Sequence, residues 1–323
     1  MMSWTGFLKM LLAHTADWIG PPDERCLVCG DRRNGLPARS SEAPNLERWL
    51  CAGCLRRIPW IRRIACPRCG RPVFCPDCIR RPVRAFAMNR SAVRYSDDMK
   101  AWLKLYKFRG DERYGDLLAE MLLPAYERLT AEAAAASRRA GEAAIAGADR
   151  SGAARWPGGP EAAGGPCGPW GFRRHGADPA CPAGVRPSGR GVWHAVTYVP
   201  VSRERAEERG FNQAERLARA AAKWANAPLL PLLRRLRDGG KQSQRGRIER
   251  FRAMRAAFGP DETEIRRLAA RFVRAGRSPG EPLRILLVDD IYTTGATSEA
   301  CATAIRSAAP CNVLVYVLTW ARS

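Results

Sequence analysis

Toward its carboxyl end the chain alternates short, nearly uninterrupted apolar runs with amphipathic stretches. HAVTYVPVS (194–202), RILLVDD (284–290) and CNVLVYVLTWA (311–321) have strand length and no polar alternation, the pattern of strands covered on both faces. RERAEERGFNQAERLARAAAKWA (203–225) and TSEACATAIRSAA (297–309) carry apolar residues at helical spacing. Between them, a short apolar segment, APLLPLL (227–233), leads into the basic loop RRLRDGGKQSQRGRIERFRAMRAAF. Strands alternating with helices predict an α/β fold, a parallel sheet with helices on both faces.

Earlier in the chain the pattern is helical. RYSDDMKAWLKLYKFRGDERYGDLLAEMLLPAYERL (94–129) predicts two helices over about 86–130, with Asp97 and Asp98 near one start and Gly110-Asp111 as the break. WTGFLKMLLAHTADWIGPP (4–22) reads as an amphipathic helix ended by Pro21-Pro22; with Lys9, His14 and Asp17 and no small-residue cleavage site, it does not read as a signal peptide. No run reaches the roughly 20 apolar residues of a membrane span, and a cytoplasmic protein is expected. From about 131 to 190, more than half the residues are Ala, Gly or Pro. Its first alanines can extend the preceding helix, and the Gly/Pro-rich remainder offers little to bury, so a disordered insertion is expected. The domain division expected is 1–85 for the leading helix and a cysteine-rich part, then 86–323 for the α/β domain that carries the insertion.

Charge and cysteines change the picture. A formal net charge of +22 and a pI near 10.3 call for a polyanionic partner, nucleic acid first. Eight of the twelve cysteines form four C-x-x-C pairs: Cys26/Cys29, Cys51/Cys54, Cys66/Cys69 and Cys75/Cys78. Two such turns complete a tetrahedral Zn2+ site, so eight ligands make two structural zinc sites with no open position for water. The glycines in CLVCG and CPRCG suit the positive φ of a tight knuckle. The short gap between Cys69 and Cys75 favours joining the last two pairs in one ribbon and the first two in another; spacing leaves a cross-braced pairing open. Arg56, Arg57, Trp60, Arg62, Arg63, Arg80, Arg81 and Arg84 surround these cysteines. They suit a phosphate backbone with Trp60 stacking a base, or equally a solvated basic face with Trp60 packed inward.

ILLVDDIYTTGAT (285–297) holds the most specific chemistry. A buried strand ending in Asp289-Asp290 delivers two carboxylates to the carboxyl edge of the sheet, where open α/β folds bind ligands. Carboxylates accept from vicinal sugar hydroxyls; Thr293, Thr294 and Thr297 add hydroxyls, Gly295 allows a tight turn, and the start of the next helix points amides at an anion. The stretch suits a ribose 5-phosphate, with the diol on the acids and the phosphate on the loop. It resembles the phosphoribosyl pyrophosphate signature of type I phosphoribosyltransferases.

A leading helix, four C-x-x-C pairs, YKFRGD (106–111), VPVSRERAEERGFNQAERLA (199–218), KQSQRGRIER (241–250) and this signature stand in the order seen in the ComF family, which the chain resembles throughout except over 131–190. The resemblance implies a type I phosphoribosyltransferase-like domain behind a double zinc ribbon. It implies a pyrophosphate loop at Pro200, Val201 and Ser202, lined also by Arg209 with Gly210, Asn212 and Gln213. It implies a closing loop around Lys241, Gln244 and Arg250, and Mg2+ bound with phosphoribosyl pyrophosphate. Relatives carry an Asn after the Glu-Arg of that loop where this chain has Ala253-Met254. The family further implies a role in bringing transforming single-stranded DNA into the cytoplasm with a partner ATPase. Three readings follow: a phosphoribosyltransferase with a nitrogen acceptor, a single-stranded-DNA-binding module, and a non-catalytic nucleotide sensor that retains the phosphoribosyl site.

Overall fold

The computed structural model describes residues 25–33, 43, 45–81, 83–108, 112–148, 191–236, 256–277 and 280–323. The leading helix, Lys241, Gln244, Arg250 and residues 149–190 lie outside them. Strands β1 (Phe86–Arg94), β2 (Ala195–Tyr198), β5 (Leu283–Tyr292) and β6 (Val313–Arg322) form one sheet in the order β1-β6-β5-β2, every neighbouring pair parallel. The short β3 (Leu233–Arg235) and β4 (Phe258–Pro260) pair antiparallel outside it. A single parallel bridge from Val196 to Leu229 continues the main sheet beyond β2.

Side-chain alternation along β5 assigns the two faces. Leu286 and Val288 join Val196, Leu318 and Trp320 in one core, while Ile285 and Leu287 join Ala195, Val315 and Val317 in another. Helices α4 (Glu112–Ala148) and α6 (Gln213–Ala225) cover the first face with Leu118, Met121, Leu122, Leu217 and Ala221; α7 (Glu262–Arg274) and α8 (Ala296–Ala308) cover the second with Ile265, Leu268, Cys301 and Ile305. An unbroken apolar strand is the physical consequence of having no solvent face. Each fully buried aliphatic side chain contributes about 1.5–3 kcal/mol.

Two elements differ from the sequence-based expectation, and a third follows one that the sequence left open. β1 occupies a stretch expected to be helical, and its centre, Asn89, Arg90 and Ser91, is polar yet buried. These residues are satisfied by the cysteine-rich part and β6. Asn89 Nδ2 donates to the Cys69 carbonyl (3.1 Å), Arg90 donates to the Pro67 carbonyl (2.8 Å) and pairs with Glu132, and the Ser91 and Thr319 hydroxyls share a 2.6 Å hydrogen bond. The 203–225 helix is broken into α5 (Arg203–Arg209) and α6, because Gly210 takes a left-handed C-cap and the Asn212 side chain caps α6. The alanines after 130 continue α4 to Ala148. Trp193 Nε1 donates to Thr130 Oγ1 (3.1 Å) and Arg284 reaches Ser137 Oγ (3.4 Å), so that part of the helix packs against the start of β2 and β5.

The cysteine-rich part holds the short helices α1 (Ala52–Arg56) and α2 (Pro76–Arg80). Its link to β1 is an antiparallel bridge, Trp60 to Val93, flanked by Ile61 N to Ala92 O (2.9 Å) and Arg94 N to Pro59 O (2.9 Å). Helix α3 (Asp97–Phe108) follows β1 and pairs with the end of α1 through Asp98 and Arg57. Among the described residues no helix is long and apolar enough to cross a membrane.

The buried amide of Asn89 ties the cysteine-rich part to the sheet. Asn89→Ala leaves the Cys69 carbonyl short of one donor and is expected to cost about 1–3 kcal/mol, read as a lower urea midpoint with an unchanged slope.

Candidate functional site

β2 and β5 lie side by side, and their chains leave in opposite directions. After β5, α8 crosses one face to β6; after β2, α5 and α6 cross the other face to Leu229, on the far side of β2. This is a topological switch point, where a crevice opens at the carboxyl ends of the strands. The last ladder bond between them runs from Val199 N to Val288 O (3.0 Å), and Asp289 and Asp290 follow at once.

One wall of the crevice is the exit of β2. Pro200 and Val201 are partly buried, and Ser202 caps α5 by accepting from Arg205 N (3.3 Å). Asn212 Nδ2 donates to the Val199 carbonyl (3.2 Å), which pins the RGFNQ turn beneath that exit. Arg209 donates to Gln213 Oε1 (3.0 Å), and the Gln213 carbonyl accepts from the Tyr106 hydroxyl (3.2 Å). The structure therefore brings the 199–202 segment, the RGFNQ turn and the YKF end of α3 to one strand edge.

The opposite wall is the exit of β5. The strand continues past the acids to Tyr292, paired with β6 through Ile291/Ala321 and Tyr292/Arg322. Thr293 and Thr294 are exposed, and Gly295 takes φ +81° as the N-cap of α8. A Cβ at Gly295 would stand 2.2 Å from the Tyr292 hydroxyl, so only glycine fits this turn. Thr294 Oγ1 accepts from Ala296 N (3.4 Å), and Thr297 lies in the first turn of α8.

The acid pair is electrostatically loaded. Asp289 Oδ1 accepts from Asp290 N (2.8 Å), and Lys107 Nζ reaches Asp290 Oδ2 at 2.5 Å. Burial, followed by the adjacent Asp290 carboxylate, holds the Asp289 carboxyl well above the usual carboxylate range, against a smaller pull from Lys107. Lys107 sits in the YKFRGD stretch, and no local pattern there signals that its lysine meets the acids.

The cysteines assemble as two groups of four, Cys26/Cys29/Cys51/Cys54 and Cys66/Cys69/Cys75/Cys78, each with its sulfurs within 4.8 Å of one another. The pairing is sequential rather than cross-braced. Tetrahedral Zn2+ with bonds of about 2.3 Å places sulfurs about 3.8 Å apart; Cys29 and Cys51 are 3.6 Å apart, and Cys69 and Cys75 are 3.5 Å apart. Gly30 and Gly70 take φ +77° and +70° after the knuckles, as the sequence predicts. Hydrogen bonding from the Cys69 thiol holds Cys66 down to about 4, and burial pushes Cys78 up to about 11. Crowded thiols of this kind share charge unevenly, and a divalent cation relieves that. Both groups are compatible with a structural zinc ion.

The second group is fastened to the far end of the β5–β6 pair. The Cys69 carbonyl accepts from Arg322 (2.6 Å), whose guanidinium lies over the Tyr292 ring at 4.6 Å, beneath the Gly295 turn. The first group is fastened to α4, with the Tyr114 hydroxyl donating to the Leu27 carbonyl (2.6 Å) and Arg48 pairing with Glu120 (3.0 Å). A groove of about 870 Å³ opens there, lined by Trp49, Phe211 and Trp224. Its arginines are compensated, Arg48 by Glu120, Arg216 by Asp116 and Arg219 by Glu215. Around the cysteines, Arg56, Arg62, Arg63, Arg80 and Arg81 are exposed, Arg57 pairs with Asp98, Arg84 is buried and Trp60 is half-buried against β1.

The chain is 26% identical over 282 residues, 84% of each chain, to "Competence protein ComFC" of Bacillus subtilis (strain 168). This likeness and the two groups of four cysteines together support the ComF resemblance. No family model and no solved structure matches the chain.

Two outcomes are expected. Elemental analysis of the purified protein should find two zinc ions per chain, and Cys69→Ser or Cys54→Ser should reduce the count to one. Because the folded state binds the Asp289 proton more tightly than the unfolded chain does, ionising this carboxyl destabilises the fold as pH rises above the ordinary carboxylate value near 4. Asp289→Asn should therefore raise the thermal midpoint of the ligand-free protein at pH 7, with the gain vanishing as pH falls toward 4.

Proposed function

We propose that the protein binds phosphoribosyl pyrophosphate with Mg2+ in the crevice between β2 and β5, and that it serves the uptake of transforming single-stranded DNA. The observation that carries the first part is the meeting of an acid pair, a glycine-turned helix start and the β2 exit at one switch point. Asp289 and Asp290 accept from the ribose hydroxyls. Thr293, Thr294, Gly295, Ala296 and Thr297 hold the 5-phosphate with hydroxyls and the amide end of α8. Pro200, Val201, Ser202 and Arg209 take the diphosphate, and Lys241 and Arg250, outside the described residues, belong to a loop that closes over it.

Mg2+, when bound, supplies charge neutralisation to a leaving diphosphate. The protein's own task is to orient the sugar and to exclude water, so that a nitrogen acceptor can approach the anomeric carbon. No described residue stands as a proton-transfer histidine in the crevice: of the chain's three histidines, only His194 is described, and it lies at the opposite, amino end of β2. A site of this kind serves transfer or sensing equally well.

The DNA part rests on charge. The excess of +22 has no acidic counterweight within the chain, and Arg56, Arg63 and Arg80 stand exposed on the cysteine-rich part. A phosphate backbone would be held there by counterion release, independent of sequence. In this reading residues 1–85 form the DNA-facing, zinc-ordered front, and residues 86–323 form the phosphoribosyl-binding body. An uptake ATPase is the partner and the cytoplasm the site of action.

Calorimetric titration with phosphoribosyl pyrophosphate and Mg2+ tests the site. The wild type should bind, and the double substitution Asp289→Asn/Asp290→Asn should weaken binding by about 100-fold or more, as expected when charge-assisted hydrogen bonds are lost. A wild type that gives no heat would leave single-stranded DNA binding as the function to measure, through its dependence on salt.

A further inference from the structure

We propose that Lys107 is a positioning residue of the crevice: its ammonium offsets the negative charge of the Asp289-Asp290 pair and fixes Asp290 at the strand end for an anionic, hydroxyl-bearing ligand. The inference rests on the sugar-phosphate reading above, but its first observable does not need the ligand. Lys107 stands 19% exposed and Asp290 21%, so their 2.5 Å contact is shielded on most sides. An ion pair in that setting is screened far less than one on the open surface.

The pair needs a counter-charge. Two carboxylates on adjacent residues repel each other and repel an incoming phosphate, and burial compounds the cost for Asp289. Lys107 is the one cation whose contact with either acid is direct among the described residues, and it leaves Asp290 Oδ1 outside that contact. Other ionisable groups facing the pair supply no positive charge. Tyr95 from the end of β1 and Tyr106 from α3 both feel the Asp290 charge, and Cys301 from α8 feels that of Asp289. The charges behind them, Asp116 and Arg216 near Tyr106 and Arg235 near Cys301, act on those neighbours.

α3 is held so that Lys107 cannot drift away. Tyr106, the preceding residue, is 1% exposed, donates to the Gln213 carbonyl (3.2 Å) and packs on Phe211 with ring centroids 5.3 Å apart. Gln213 in turn accepts from Arg209 (3.0 Å). The tyrosine of YKF is an anchor to the RGFNQ turn and its lysine reaches the strand end, which gives the two neighbouring residues distinct tasks. At the start of the helix, Asp98 pairs with Arg57 at the end of α1.

The test compares wild type, Lys107→Gln and Lys107→Arg in the full chain. The first readout is the 13C titration of the Asp289 carboxyl in ligand-free protein, with circular dichroism confirming the fold. Lys107 pulls the Asp289 carboxyl down, so Lys107→Gln should move the midpoint up, by up to about one unit, and Lys107→Arg should restore most of it. The second readout is the affinity for Mg2+ and phosphoribosyl pyrophosphate. Lys107→Gln should lose about 10-fold at pH 7, regain part of it as pH rises and recover it largely in Lys107→Arg. An unmoved midpoint in folded Lys107→Gln overturns the proposal whether or not the ligand binds. A raised midpoint with unchanged affinity overturns it too. If the wild type binds no ligand while the midpoint moves, the sugar-phosphate reading fails and the hold of Lys107 on the acid pair stands.

Discussion

The pairing of β2 with β5 is the contact on which the rest of the molecule depends. Parallel neighbours must be joined by crossovers, and both strands are buried on both faces, so helices must lie above and below them. Because the chain leaves β2 for one side and β5 for the other, neither crossover fills the space beyond their carboxyl ends. Every polar group of the candidate site described above is placed at that gap by a helix start, a strand end or a turn. The crevice is a consequence of topology, and its residues are those that topology exposes.

Such a gap would be soft if its rim were held only by loops, and the cysteine-rich part supplies a brace. The second group of four cysteines reaches Asn89 on β1 and Arg322 on β6, and Arg322 lies across Tyr292, directly under the Gly295 turn. A four-cysteine knuckle is thereby connected, through a buried hydrogen bond and a stacked guanidinium, to the Gly295 turn. The first group is connected to α4 instead, through Tyr114 and Glu120. The two groups use the same chemistry to fasten different parts of the body. Polar residues at the centre of β1 make sense only in this light, since each is matched by a carbonyl or hydroxyl from the cysteine-rich part or β6.

Charge is managed in two ways. Many surface arginines are matched by nearby acids, as in the groove between α4 and α6. At the crevice the balance is reversed: two adjacent carboxylates face one lysine. The protein keeps two adjacent acids at a strand end, at a cost in burial and mutual repulsion, while the chain as a whole is strongly positive.

Local patterns in the sequence determined the continuous apolar strands, the helix after Gly295, the C-x-x-C knuckles with their positive-φ glycines and the acid pair at a strand end. Each is legible because its cause lies within a few residues: burial on two faces forbids alternation, and a tight turn demands glycine. Tertiary structure decided what depends on distant partners. β1 could not be read as a strand because its buried Asn89, Arg90 and Ser91 acquire partners only when Cys69, Pro67 and Thr319 fold against them. The sequential pairing of the knuckles, the break at Gly210 and the continuation of α4 through its alanines were likewise settled by packing. So was the place of Lys107, which meets Asp290 because two elements far apart in the chain share one edge of the sheet, and no local periodicity records such a meeting.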